Sequence, residues 1–222
     1  MNHSKHHSRN RRDNHPPKPA PRLVLFAPPL DTARASTLIG EACDRADIAS
    51  IILRTGGKSD AEIVAHARQM LPVAIEKSAA LLIEDHADLA EDIKPDGVHF
   101  SNFPAQASQL LPLKPRFITG AAGLASRHDA MSAGEAGADY VMFGEPAAGS
   151  RPPLKTILER VAWWAEIFNV PCVAFAAALD EVPALVKAGA DFIALDDAVW
   201  NAPQPLATLE QAMSHLEVEY TG

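Results

Sequence analysis

One unit recurs along this chain: an amphipathic helix, a turn ending in Asp, and a short apolar strand. It is clearest in Gly137-Ala138-Asp139-Tyr140-Val141-Met142-Phe143-Gly144. It returns as Gly189-Ala190-Asp191-Phe192-Ile193-Ala194-Leu195, and an earlier relative reads Pro95-Asp96-Gly97-Val98-His99-Phe100. Each copy follows a helical pattern and runs into small or polar residues. Helix, glycine, buried strand and loop, repeated in that order, is the building unit of a parallel α/β barrel. The glycine is expected to end its helix in a left-handed conformation, which other residues adopt at a cost. The Asp after it is expected to bond backbone N–H groups near it in the turn.

The same alternation extends from Leu23 onward. Apolar runs predict strands over 23–28, 49–54, 79–83, 97–101, 117–120, 139–144, 171–175 and 191–195. Between them, periodicity and capping residues predict helices over 32–46, 88–94, 104–111, 126–136, 155–168 and 179–188, with a closing helix over 205–217. A further helix, capped by Ser59, should run to about Lys77 and be interrupted by Pro72. Of Trp163 and Trp164, at least one should be core. Eight strand–helix units in a chain of 222 residues match the small end of the (β/α)8 TIM barrel. An open doubly wound sheet is the alternative, but it needs only about five or six strands. The expected organisation is a disordered His/Arg/Pro-rich tail over 1–22 and a single barrel domain over 23–222.

Composition narrows the function classes. The formal net charge is −8, yet the tail carries Lys5, Arg9, Arg11, Arg12, Lys18 and Arg22 against Asp13 alone. The body is therefore more acidic than the whole, which argues against nucleic acid or an anionic membrane as partner. No apolar run approaches the roughly 20 residues of a membrane span. Cys43 and Cys172 stand alone, without metal-ligand spacing, and point to a reducing, cytoplasmic setting. His3, His6, His7 and His15 in the tail read as part of a solvated extension, with weak metal binding as the other option. The sequence leaves room for a homo-oligomer.

In a barrel the site lies at the C-terminal ends of the strands. That rule selects Arg54 and Lys58, then Glu84, Asp85 and His86, then Ser101 and Asn102, then Glu145, and last Asp196 and Asp197. Arg54 suits a bidentate grip on phosphate or carboxylate, or else an ion pair with a mouth carboxylate such as Asp85. Asp85, with Glu84 or another strand-end acid, offers oxygen ligands for Mg²⁺. The other option is that one of the pair points into the mouth while its neighbour caps the next helix. His99 reads as a satisfied core histidine, and His128-Asp129 as exposed or capping residues.

These residues carry a family resemblance. Leu81-Leu82-Ile83-Glu84-Asp85-His86-Ala87-Asp88-Leu89-Ala90 resembles the LIINDRxDLA segment of thiamine phosphate synthases. Asp96-Gly97-Val98-His99-Phe100 resembles their DGVHLG, and the run from Gly137 to Gly144 resembles their GADYVGxGP. The likeness spans about residues 23–199 and covers a superfamily that includes TenI-type thiazole tautomerases. It implies a transferase that joins an aminopyrimidine diphosphate to a thiazole phosphate, with Mg²⁺ assisting loss of diphosphate. The ligand would be a small phosphorylated heterocycle. By the same resemblance, Arg54, with Lys58 close enough to substitute for a second cation, would act on the diphosphate and Asp85 would hold the metal, while the strand-end rule offers Asn102 and Glu145 as substrate-binding candidates.

Several positions depart from the family. Its second metal Asp falls near Phe103-Pro104, and its Ser and His after strand five fall near Ala122 and Leu124. Its TxTK loop reads Ala147-Ala148-Gly149-Ser150-Arg151, with Arg151 or Lys155 as stand-ins. Its phosphate-cradling IGGI reads Phe175-Ala176-Ala177-Ala178, with Asp180 and Glu181 following. Methyl groups and acids there oppose phosphate binding. The expectation is a synthase-like protein with reduced or altered activity. The alternatives are a thiazole tautomerase or a non-catalytic ligand-binding barrel whose mouth is filled by side chains such as Phe103 and Phe175.

Overall fold

The computed structural model of the chain describes residues 19–29, 31–146 and 150–216. Eight parallel strands close into a barrel in sequence order. They are β1 (Arg22–Phe26), β2 (Ile48–Leu53), β3 (Ala80–Glu84), β4 (Gly97–Phe100), β5 (Ile118–Ala121), β6 (Tyr140–Phe143), β7 (Cys172–Phe175) and β8 (Phe192–Leu195). Closure comes from β1 pairing β8, with Leu23 opposite Ile193 and Leu25 opposite Leu195. The fold class is therefore the (β/α)8 barrel, and the open-sheet alternative falls away. Most of the expected tail lies outside the described residues. Arg22, assigned to the tail, instead begins β1 and pairs with Asp47 at 2.7 Å.

The outer ring holds α1 (Thr32–Arg45), α2 (Asp60–Glu76), α3 (Ala90–Ile93), α4 (Phe103–Gln106), α5 (Arg127–Glu135), α6 (Leu154–Ile167), α7 (Val182–Lys187), α8 (Asp197–Trp200) and α9 (Pro205–Leu216). Asp31 caps α1, while Ser59 with Glu62 and Ser126 with Asp129 form capping boxes on α2 and α5. Pro72 does not interrupt α2, which runs through it. Its neighbours Met70 and Ala74 are fully buried, so packing of that face holds the turn together despite the lost N–H. The helix expected over 104–111 is one α turn followed by 3₁₀ turns. Trp164 is the buried tryptophan of its pair, stacking on Phe168 and donating to the Val170 carbonyl at 2.7 Å.

Two hydrophobic layers follow from the period-2 alternation of the strands. Leu23, Leu25, Ile51, Leu81, Ile83, Val98, Val141 and Ile193 point outward to the helices. Val24, Phe26, Ile52, Leu82, Met142, Val173, Phe175 and Ala194 fill the barrel interior.

The recurring Gly and Asp residues do two different jobs. Gly137 and Gly189 take φ of +89° and +99°, the left-handed helix ends expected of them. The Asp residues reach further than the turn. Asp139 Oδ2 accepts from Thr119 N at the start of β5, Asp191 Oδ2 from Cys172 N at the start of β7, and Asp96 Oδ2 from Leu81 N in β3. The backbone N–H of each Asp donates back to the carbonyl of the same residue. Each Asp thus clamps the start of the strand beside its own.

Candidate active site at the barrel mouth

Carrying the inward alternation one step past the strand ends predicts which side chains meet at the mouth. Ile52 leads to Arg54, Leu82 to Glu84, and Ala194 to Asp196. Those three do converge. Arg54 Nη1 lies 2.7 Å from Glu84 Oε1, and its Nη2 lies 2.8 Å from Asp196 Oδ2. A fourth group joins from the loop after β6, where Glu145 Oε1 accepts from Arg54 Nη1 at 3.2 Å. The guanidinium carbon sits 3.9 Å above the centre of the Phe26 ring, a cation–π contact that roofs the barrel interior.

One cation therefore faces three carboxylates. Burial pulls the Arg54 guanidinium down, but Asp196, Glu145 and Glu84 more than reverse this and leave it above its ordinary value. Burial raises the Asp196 carboxyl above its usual range, and Arg54 only partly offsets that. The Arg54 shift expresses the excess of acid around a single guanidinium, and the Asp196 shift expresses chiefly its burial.

Below this cluster runs a hydrogen-bonded line into the barrel. Glu145 Oε2 meets His99 Nε2 at 2.7 Å, and His99 Nδ1 meets the Tyr140 hydroxyl at 2.8 Å. Burial, with Glu145 and Asp139, holds the Tyr140 hydroxyl well above its ordinary value, so it stays protonated. With Glu145 as a carboxylate accepting from Nε2–H, the matching neutral tautomer has Nδ1 accepting from the Tyr140 hydroxyl. Gly120 makes room for this arrangement, since a Cβ there would lie 2.0 Å from Tyr140 Cζ. His99 is fully buried and bonded at both nitrogens, as a core histidine should be.

Above the cluster is an open cavity of about 680 Å³, lined by Pro28, Leu53, Arg54, Lys58, His66, Phe175, Ala177 and Asp196 among others. Two of the predicted site residues, Arg54 and Lys58, line it. Lys58 is exposed and its Nζ lies 3.3 Å from the Arg54 carbonyl oxygen. Three others stand elsewhere. Asn102 is exposed at the start of α4 and does not line the cavity. Glu145 is buried against Arg54 and His99 and holds those groups rather than facing the cavity. Asp85, at φ +60°, turns aside to β4, where its oxygens accept from Ser101 N at 2.7 Å and Ser101 Oγ at 2.6 Å. Arg54 is thus ion-paired, but with Glu84, Glu145 and Asp196 and not with Asp85. Phe103 is buried with the outer core, so the mouth is not filled by it.

Among the described residues no group of three His, Cys, Asp or Glu side chains is placed to hold a metal ion. The donor chemistry of Asp85 still fits one, because two hydrogen bonds leave lone pairs on both oxygens. An Mg²⁺ carried with a diphosphate needs only one or two carboxylates, taking its other ligands from phosphate and water.

The strand-seven corner is occupied from within. Ala176 N donates to the Ala194 carbonyl at 3.0 Å. Ala177 N donates to Glu181 Oε2 at 2.9 Å. Arg151 grips the same carboxylate through Nη1 at 3.0 Å and Nη2 at 2.6 Å, and reaches the carbonyls of Gly144 and Phe175. Lys155 is exposed on α6. The loop residues 147–149 lie outside the described residues.

His66 escaped the strand-end rule because it comes from mid-helix. The signal was available: it follows Ile63 by three residues on the buried face of α2. It is 5% exposed, and its Nε2 has no hydrogen-bond partner among the described residues. His128, the other histidine considered for chemistry, is exposed on α5.

Fold and site together describe a TIM-barrel protein with an open, charged cavity at the C-terminal mouth. Residues 23–199 match the thiamine monophosphate synthase family, to which the chain belongs. It is 36% identical over 188 residues to a thiamine-phosphate synthase from Rhodospirillum centenum, covering 82% of this chain and 90% of that one. It is 35% identical over 216 residues to a thiamine-phosphate synthase from Hyphomonas neptunium, covering 92% and 97%. Among solved structures it resembles a thiamine phosphate pyrophosphorylase from Pyrococcus furiosus, with a TM-score of 0.71, 22% identity and coverage of 88% and 95%. An orotidine 5'-phosphate decarboxylase from Pyrococcus horikoshii shares the fold at a TM-score of 0.64 and 15% identity, with coverage of 89% and 100%.

Proposed function

We propose that the chain is a thiamine phosphate synthase-type transferase of thiamine biosynthesis with slowed turnover. The family membership supplies the reaction class. The observation that carries the slowed rate is the caging of Arg54 by Glu84, Glu145 and Asp196. The reaction breaks the bond between a pyrimidine methylene and its diphosphate and forms one from that carbon to a thiazole nitrogen. Diphosphate departs with the bonding electron pair. Among the described residues lining the cavity, Lys58 is the cation free to meet the diphosphate, and Arg54 assists only by loosening its present partners. Asp85 would hold Mg²⁺, which when bound neutralises the diphosphate.

Of the acids that hold Arg54, Asp196 lines the cavity and so also faces any incoming diphosphate. At about 5 Å and an effective dielectric near 20, one such repulsion is roughly 3 kcal/mol. That corresponds to about a hundredfold in rate if it persists in the transition state. With hydroxymethylpyrimidine diphosphate, thiazole phosphate and Mg²⁺, the purified protein should form thiamine phosphate slowly, and Lys58→Ala should abolish the product. Absence of any Mg²⁺-dependent product from the unaltered protein would refute the reading.

A second reading, tautomerase-type acid–base chemistry, is favoured by one observation. His66 brings an imidazole with an unpartnered nitrogen to the cavity wall. A thiazole tautomerisation assay that responds to His66→Gln but not to His128→Gln would support it.

A further inference from the structure

The corner between the loops after β6 and β7 is built like an anion site, yet it already contains an anion. A backbone N–H from Ala177 and both Nη groups of Arg151 converge on two carboxylate oxygens at 2.6–3.0 Å. A forked guanidinium plus a strand-end amide is the donor set expected for a phosphate or carboxylate. In barrels of this class the phosphate site lies in this region, after strands seven and eight. Here the ligand is Glu181, four residues along the same chain. Both side chains of the pair are largely buried, at 17% and 15% exposure for Arg151 and Glu181. Arg151 is further tied to the Gly144 and Phe175 carbonyls, so it is fixed from two strand ends at once. Ala177 also lines the mouth cavity, which places this corner at the ligand's edge.

We propose that Glu181 is a specificity-determining residue, a built-in occupant of the anion corner that competes with any phosphate group there, so that the thiazole phosphate of the proposed reaction is held weakly at this corner. The proposal rests on the reading of the mouth as a ligand site and adds to the slowed turnover proposed above. A phosphate entering this corner must displace Glu181 from Arg151 and Ala177. It would then share the space with a displaced carboxylate that has no other cation assigned to it. Asp196 and Asp197 line the same cavity and add to the repulsion. A neutral or cationic group meets neither obstacle.

The test is a titration with inorganic phosphate, read by the Ala177 amide in two-dimensional NMR spectra of the whole chain. The unaltered protein should show no saturable shift of that amide. Glu181→Ala should show one, with an affinity at least tenfold above any residual binding by the unaltered protein. Glu181→Gln keeps the shape and removes the charge, so it should bind weakly and guards against misfolding of the alanine variant. Adding Arg151→Ala to Glu181→Ala should abolish the response. Saturable binding at Ala177 in the unaltered protein would overturn the proposal. So would two folded Glu181 variants that gain nothing. The titration reads this corner whether or not the chain makes thiamine phosphate, so failure here and failure of the synthase reading are separate results.

Discussion

His66 shows how much a single buried side chain can depend on pH. Burial, with Lys58 nearby, holds its imidazole below the ordinary 6.5. Asp31, Lys58 and Glu62 share the surface depression beside it. Above 6.5 the ring is neutral in both folded and unfolded chains and contributes nothing pH-dependent. Below 6.5 the unfolded chain takes up a proton that the folded chain refuses, so stability falls as pH drops through that value. Urea unfolding at pH 7.5 and 5.5 should therefore show a larger loss for the unaltered protein than for His66→Gln. Equal losses would mean that His66 is not held neutral. At the same scale, Glu84 and Asp85 illustrate what neighbours in sequence can and cannot reveal. The two acids were legible as a pair, with one expected to face the mouth. Alternation along β3 decides that it is Glu84. The left-handed backbone at Asp85 turns the second acid onto Ser101, which local sequence does not show.

At the scale of elements, the Asp clamps explain why this barrel keeps its register. Strands of a parallel barrel lack the tight hairpins that fix register in antiparallel sheets, so another device must prevent slippage. Asp139 supplies one between β5 and β6 by bonding Thr119 N at 2.7 Å. A charge-assisted bond of this kind contributes about 1.5–3 kcal/mol. Asp139→Ala should lower the unfolding free energy by about 2 kcal/mol in urea melts. It should also speed hydrogen exchange at the Thr119 amide beyond that of amides in β2. Uniform acceleration across all strands would argue against a local clamp. The repeat of Asp residues was visible in the sequence, but its partner was misplaced. The bond expected within the turn is found to the adjacent strand, because barrel closure sets an N–H near that strand's start beside the Asp carboxylate.

For the whole molecule, the final helix is part of the closure. The buried face of α9, with Leu209, Ala212 and Leu216, packs against α1, α7 and α8. Trp200 on α8 donates to the Phe26 carbonyl at 2.7 Å, tying the last unit to the first strand. Each of the two buried leucines is worth about 2–3 kcal/mol in transfer alone. Ending the chain at residue 204 should therefore abolish the cooperative thermal transition expected of the longer chain. A truncated protein that melts sharply at the same temperature would show the barrel to be independent of α9.

By itself the sequence determined the ring of eight units, their order, the buried strands and the family. Each rests on periodicity and short motifs, which are properties of residues close together along the chain. Only the tertiary structure decided the character of the mouth. Arg54 finds Asp196 across 142 positions, Glu145 reaches His99 from another strand end, and Glu181 folds back onto Ala177 and Arg151. These meetings depend on where closure sets the strand ends in space. Sequence spacing carries almost no information about that distance.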